Sequence, residues 1–125
     1  TPVLMHSDGH IRPLLDGLVH AGIDAYHPVE RQAGMHLGEV RRAYGSGLCL
    51  IGNVGNTTTL VTGSPEEVRA EALQCLREAA PGGSYILASD HSLKDDVPNE
   101  NVFALYETGR RWGAYPLKLP DSSPV

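Results

Sequence analysis

Four times in this chain an apolar run ends abruptly in polar residues or glycine, and a helix-like pattern follows each ending. The runs are Val3-Leu4-Met5 before His6-Ser7-Asp8-Gly9, Ala25-Tyr26 before His27-Pro28-Val29-Glu30, Leu48-Cys49-Leu50-Ile51 before Gly52-Asn53, and Tyr85-Ile86-Leu87-Ala88 before Ser89-Asp90-His91. Short, nearly continuous apolar runs are expected of parallel strands covered on both faces. The order is therefore βαβαβαβα, with strands beginning near residues 3, 24, 48 and 84. Right-handed crossovers place all four carboxyl ends on one side of a parallel sheet. Side chains leaving those ends are expected to converge on one pocket.

The helices between the strands carry their own punctuation. Pro13 stands near the first position of a helix whose apolar face is Leu14, Leu15, Leu18 and Val19, and Gly22 stops it as a left-handed cap. A second helix runs near Met35 to Tyr44, with Leu37, Val40 and Tyr44 inward and Gly45 as its cap. Ser64-Pro65-Glu66-Glu67 is the clearest start: Ser64 caps, Pro65 opens, and Glu67 completes a capping box. Val68, Ala72, Cys75, Leu76 and Ala79 face inward until Pro81-Gly82-Gly83 ends that helix. Pro98 opens the last one, with Val102, Leu105, Tyr106, Gly109 and Trp112 as its stripe. Gly55 to Gly63 is expected to be a threonine-rich loop, and residues 116–125 an irregular, frayed tail.

At 125 residues, 41% of them hydrophobic, the chain has the material for one core and one domain. Its net charge of −5 and its two isolated basic pairs, Arg41-Arg42 and Arg110-Arg111, argue against nucleic acid as a partner. Both pairs fall late in expected helices, where cations complement the dipole. No apolar stretch approaches the ~20 residues of a membrane span. Cys49 and Cys75 lack metal-type spacing and read as reduced thiols, which points to the cytoplasm. The chain begins with Thr1, almost inside a strand, and is expected to be a processed, truncated or excised piece as readily as a whole protein. No P-loop or G-x-G-x-x-G signature supports a nucleotide site.

Four βα units are half of a (β/α)8 barrel, which takes ~250 residues. The other arrangement is a small open sheet with helices on both faces. His6-Ser7-Asp8-Gly9, Ala21-Gly22-Ile23-Asp24, Gln32-Ala33-Gly34-Met35, Leu50-Ile51-Gly52-Asn53, Ala80-Pro81-Gly82-Gly83, and His91 followed by Asp96-Val97-Pro98 and Glu100-Asn101-Val102 decide between them. In order and spacing they resemble the C-terminal half of the uroporphyrinogen decarboxylase superfamily, through about residue 112. The resemblance implies a (βα)4 half of a TIM barrel over residues 1–115. It implies one of two chemistries: cofactor-free decarboxylation of the acetate arms of uroporphyrinogen in porphyrin biosynthesis, or zinc-dependent methyl transfer to or from corrinoid proteins or thiols. The family's N-terminal half, with the arginines and aspartate that hold the tetrapyrrole, is not in this sequence. The isolated chain is therefore expected to be inactive, and a self-associating α/β module without a working site is a third reading.

The methyltransferase branch places His-x-Cys on the strand corresponding to the first one here and a further Cys after the last. In this sequence those positions are His6, Asp8 and His91. Strand alternation sends His6 and Asp8 to the same side, and three ligands with one open position make a catalytic zinc site. Nitrogen and oxygen ligands make it harder than the family's sulfur site and open to other divalent ions. The competing reading is that His6 and Asp8 only hydrogen-bond loop backbone. Glu30 is a candidate fourth ligand or acid–base group, with a solvated charge as its alternative.

His91 has a second role by resemblance. Decarboxylases carry a histidine there in a Gly-His-Gly setting, contacting substrate carboxylates. Here the setting is Asp90-His91-Ser92, and an acid beside the imidazole repels a carboxylate, which favours the methyltransferase branch. Asn53, beside Gly52, is a substrate contact or a turn cap. His10, His20, His27 and His36 show no partner pattern, and Lys94-Asp95-Asp96 reads as a solvated loop face. The expected partners are a small-molecule substrate (tetrapyrrole or methyl donor) and either a second copy or the missing half, because a half barrel exposes two strand edges and half of an apolar interior.

Overall fold

The computed structural model describes residues 1–121. Four strands, β1 (Leu4–His6), β2 (Ala25–His27), β3 (Cys49–Val54) and β4 (Tyr85–Ser89), form one parallel sheet in the order β1-β2-β3-β4. Between and after them lie α1 (Arg12–Ala21), α2 (Leu37–Tyr44), a single turn α3 (Thr59–Thr62), α4 (Pro65–Ala79) and α5 (Asn99–Trp112). Sequential strand order is the decisive point. A doubly wound sheet reverses direction at a switch point, whereas each strand here is added on the same side as the last. All crossovers of one hand then put the helices on one face, which is a (βα)4 half of a TIM barrel.

The sheet's two faces follow from alternation. Met5, Tyr26, Leu50 and Tyr85 pack with the helices; Tyr26 and Leu50 are fully buried. Leu4, His6 and Ile86 look the other way, into the open half of the barrel, and Leu4 and Ile86 are 57% and 52% exposed. The core is the helix-side layer, with Leu15, Val29, Met35, Leu37, Val40, Leu60, Val68, Ala72 and Cys75 at its centre.

Local signals act as expected where they are strongest. Ser64 Oγ accepts the Glu67 N–H at 3.2 Å while the Glu67 carboxylate accepts the Ser64 N–H at 2.6 Å, a complete capping box. Such a cap contributes about 1 kcal/mol. Gly22 ends α1 at φ +108°, its N–H returning to Leu18 and Val19. Both cysteines are free thiols. Arg41, expected only to complement a helix dipole, does more. Its guanidinium donates to Gly45 O, Ala79 O and Ser84 O at 2.6–2.7 Å, so one side chain ties the ends of α2 and α4 to the start of β4.

Several expectations need correction. The second strand, expected to begin near residue 24, is only Ala25–His27, and a 3-10 turn Arg31–Ala33 follows it. Leu14 is exposed, because Leu15, Leu18 and Val19 already fill the space under α1. The threonine-rich segment contains α3. On α5 the buried stripe is Asn101, Ala104, Leu105 and Thr108, and Phe103 and Tyr106 are 63% and 65% exposed. The helix is rotated because Asn101 must reach Leu60 O and Gly63 O, at 2.9 and 2.8 Å. A buried amide without those acceptors would cost more than two exposed rings. The tail to residue 121 is irregular but anchored by Tyr115 Oη on Ala80 O (2.6 Å) and Arg77 on Pro120 O (2.9 Å). The rest of the expected tail, 122–125, lies outside the described residues. Among the described residues no helix is long and apolar enough to cross a membrane.

Candidate metal centre

The carboxyl ends of β1, β2 and β4 meet on the open face of the sheet. β1 and β2 pair in register, Leu4 with Ala25, Met5 with Tyr26 and His6 with His27. In-register neighbours on parallel strands share a face, so the two imidazoles stand side by side with their Nδ1 atoms 2.7 Å apart. Asp8, two residues past His6, turns back to it: Oδ1 lies 3.6 Å from His6 Nε2. Its other oxygen is 3.8 Å from Nε2 of His91, which arrives from the loop after β4. The rings of His6 and His91 are edge-on, with centroids 5.9 Å apart.

His6, Asp8 and His91 thus bring three ligand atoms within 4.8 Å of one another, all three residues open to solvent. Two imidazoles and a carboxylate are donor types that a divalent cation takes, and the three could hold one if their side chains drew closer together. The adjoining cleft, about 140 Å³, is bounded by Asp8, Glu30, Asn56, Asp90, His91 and Lys94. Three carboxylates against one lysine make it an acidic place. Burial pushes the Asp90 carboxyl above its usual range, although the Asn56 N–H that it accepts at 2.8 Å pulls the other way.

The backbone between the ligands is held from below. Tyr26 Oη donates to Ser7 O at 3.1 Å, between His6 and Asp8. Burial, with the negative charges of Asp8 and Glu30 behind it, raises that phenol to about 12, so it stays a donor. Glu30 lies outside the three-residue cluster. One of its oxygens accepts the Gly9 N–H, fixing the turn after Asp8, and its side chain borders the cleft.

Asn53 is elsewhere. It is completely buried, its Nδ2 donates to Val29 O at 2.8 Å, and its Oδ1 accepts from Arg31 (3.1 Å) and Cys75 (3.5 Å). Both polar atoms of the amide are bonded within the core, away from the cleft where the expected substrate contact would lie. Arg31 also faces Glu71, which accepts the Gly55 N–H at 2.8 Å and the Thr59 hydroxyl. This network holds the carboxyl end of β3 against α4.

The sequence model described as uroporphyrinogen decarboxylase (URO-D) matches residues 1–112. The chain belongs to the uroporphyrinogen decarboxylase family. Among solved structures, a methyltransferase from Methanosarcina mazei is similar, with 26% identity and a TM-score of 0.75. The match covers 91% of this chain and 32% of that one, so the chain spans about a third of that methyltransferase's length. No curated protein matches. Within the uroporphyrinogen decarboxylase family the half barrel is thereby placed near a methyltransferase.

Two groups at this site are not marked by the sequence alone. His27 was without an evident partner, yet it touches His6. The available signal was positional: each histidine ends a short apolar run, and β1 and β2 are neighbours. Asn56 lies past the third strand end in a polar loop; its N–H and side chain bind Asp90 Oδ1 and Ser92 O, which fixes the approach to His91. Nothing in the sequence marks it.

Proposed function

We propose that this chain carries the cation-binding part of a methyltransferase-type site, in which His6, Asp8 and His91 hold a divalent metal, zinc first among the candidates. The reaction is methyl transfer involving a thiol or a corrinoid protein. The observation that carries this reading is the convergence of those three side chains from opposite edges of the sheet. A bound cation would supply Lewis acidity toward a thiol or methyl donor. The residues around it orient the three side chains. Tyr26 and Glu30 hold the backbone on either side of Asp8, and Asn56 and Asp90 hold the loop that brings His91. The acidic rim of Asp8, Glu30 and Asp90 disfavours a polycarboxylate such as uroporphyrinogen and leaves a neutral or cationic methyl donor as the better fit.

The open face with Leu4 and Ile86 needs a second wall, and we assign that role to another copy of the half barrel or to the family's other half. Light scattering at micromolar concentration should give a mass above that of a single chain; a clean monomer would remove the self-association.

The direct test is metal analysis of protein purified without chelators or affinity metals. Near-stoichiometric metal is expected in the wild type and its loss in His6→Ala. Substoichiometric metal in both proteins, after incubation with excess zinc and desalting, would overturn the reading.

A further inference from the structure

The hydrogens of the histidine pair follow from their neighbours. His27 Nε2 is 3.0 Å from the carbonyl oxygen of Ser89, and a carbonyl only accepts. His27 Nε2 therefore carries a hydrogen. A neutral imidazole has one N–H, so His27 Nδ1 is a bare lone pair. It sits 2.7 Å from His6 Nδ1, and two bare nitrogens at that distance would repel. The hydrogen between them belongs to His6. With Nδ1 protonated, His6 Nε2 is bare, and Nε2 is the atom that faces Asp8 and the cluster. Asp8, at 3.6 Å, is beyond hydrogen-bond distance and does not reverse the assignment.

His91 is wired the opposite way. Its Nδ1 accepts the Ser92 N–H at 2.8 Å, so in the neutral ring Nε2 carries the hydrogen and faces Asp8. His91 can ligate through Nε2 only by giving up the Ser92 bond. His6 gives up nothing.

We propose that His27 is a positioning residue: by bridging Ser89 O and His6 Nδ1 it locks His6 in the Nδ1–H tautomer and presents the Nε2 lone pair to the cation site. This rests on the metal reading for its purpose but not for its geometry. A ring nitrogen that hydrogen-bonds a ligating imidazole from behind fixes its tautomer and its orientation, and losing such a partner typically costs about 10–100-fold in metal affinity.

Two measurements test it. In metal-free, 15N-histidine-labelled protein at pH 8, long-range proton–nitrogen correlation should show a bare Nε2 on His6 and a bare Nδ1 on His27. A hydrogen on His6 Nε2 overturns the proposal, whatever the metal does. Zinc affinity, by competition with a chromophoric chelator, should fall about 10–100-fold in His27→Phe, which keeps a planar ring and removes both nitrogens. His27→Gln, whose amide can accept from His6 and donate to Ser89 O, should recover to within about threefold of the wild type if the bridge acts as argued. Wild-type affinity in His27→Phe, or no recovery in a folded His27→Gln, overturns the proposal. No zinc binding by any form, together with the expected tautomers, removes the metal reading and leaves the lock standing.

Discussion

A methyl group built on Gly52 lies 2.3 Å from the carbonyl oxygen of Pro28. No real Cβ tolerates such a contact, and Gly52 also sits at φ +127°, a conformation that side chains avoid. The β2–β3 connection to the site therefore passes through a point where only hydrogen fits. Gly52→Ala should lose about 3 kcal/mol from backbone strain and overpacking together. Urea unfolding measures it; a loss under ~1 kcal/mol would mean that Pro28 moves aside freely.

Asn53 separates a core role from a substrate role. Asn53→Ala leaves Val29 O unpaired in a buried place and takes one acceptor from the Arg31 guanidinium, which keeps Glu71, at a cost of about 2 kcal/mol. Thermal or urea unfolding should show that loss. Full stability combined with lost substrate binding would return Asn53 to the site.

Tyr26 gives a pH signature. Its phenol titrates at about 12 in the folded chain because it is buried and faces Asp8 and Glu30, against an ordinary 10.0. Below pH 10 both folded and unfolded forms are protonated and nothing changes. Between 10 and 12 only the unfolded chain releases the proton, so stability falls as pH rises through that window. Tyr26→Phe should lose about 1 kcal/mol at neutral pH, from the Ser7 hydrogen bond, and show a shallower alkaline decline. Parallel curves for the two proteins from pH 9 to 12 would refute the assignment. Tyr44, Tyr85, Cys49 and Cys75 are also raised, chiefly by burial, and contribute to the slope that remains.

In the proposed metal site Asp8 supplies an oxygen donor next to the nitrogen of His6. Asp8→Cys places a soft donor beside His6 and should tighten zinc at least about tenfold while weakening manganese and magnesium. Chelator competition with each ion reads the change. Unaltered selectivity would mean that position 8 does not touch the cation.

The elements legible in the sequence are those written locally. Ser64-Pro65-Glu66-Glu67 specifies its helix start within four residues, and β4 falls on Tyr85–Ser89 as its apolar run indicates. His6, Asp8 and His91 were visible as ligand types at strand ends, and the fold brings them together. What stayed hidden depends on partners far away in sequence. The His6–His27 bridge requires the β1–β2 register, the burial of Asn53 requires Arg31 and Cys75, and the rotation of α5 is set by Asn101 reaching α3. Tyr106 misleads because apolar residues lie on two faces of α5, and only tertiary contacts choose between them.

β1 and β4 are the outermost strands of the sheet, yet the rings of His6 and His91 come within 5.9 Å. Neighbouring strands stand about 4.8 Å apart, so a flat sheet would hold the first and fourth roughly 14 Å from each other. Inward-pointing side chains close part of that gap and the curl of the sheet closes the rest. The cluster is thus a chord drawn across an arc, with the loop after β4 supplying the last part of its reach. Uncurling the sheet slightly would part His6 from His91 while every strand pairing survived. The span between the two rings therefore depends on curvature, a property that no single strand possesses, as well as on that loop.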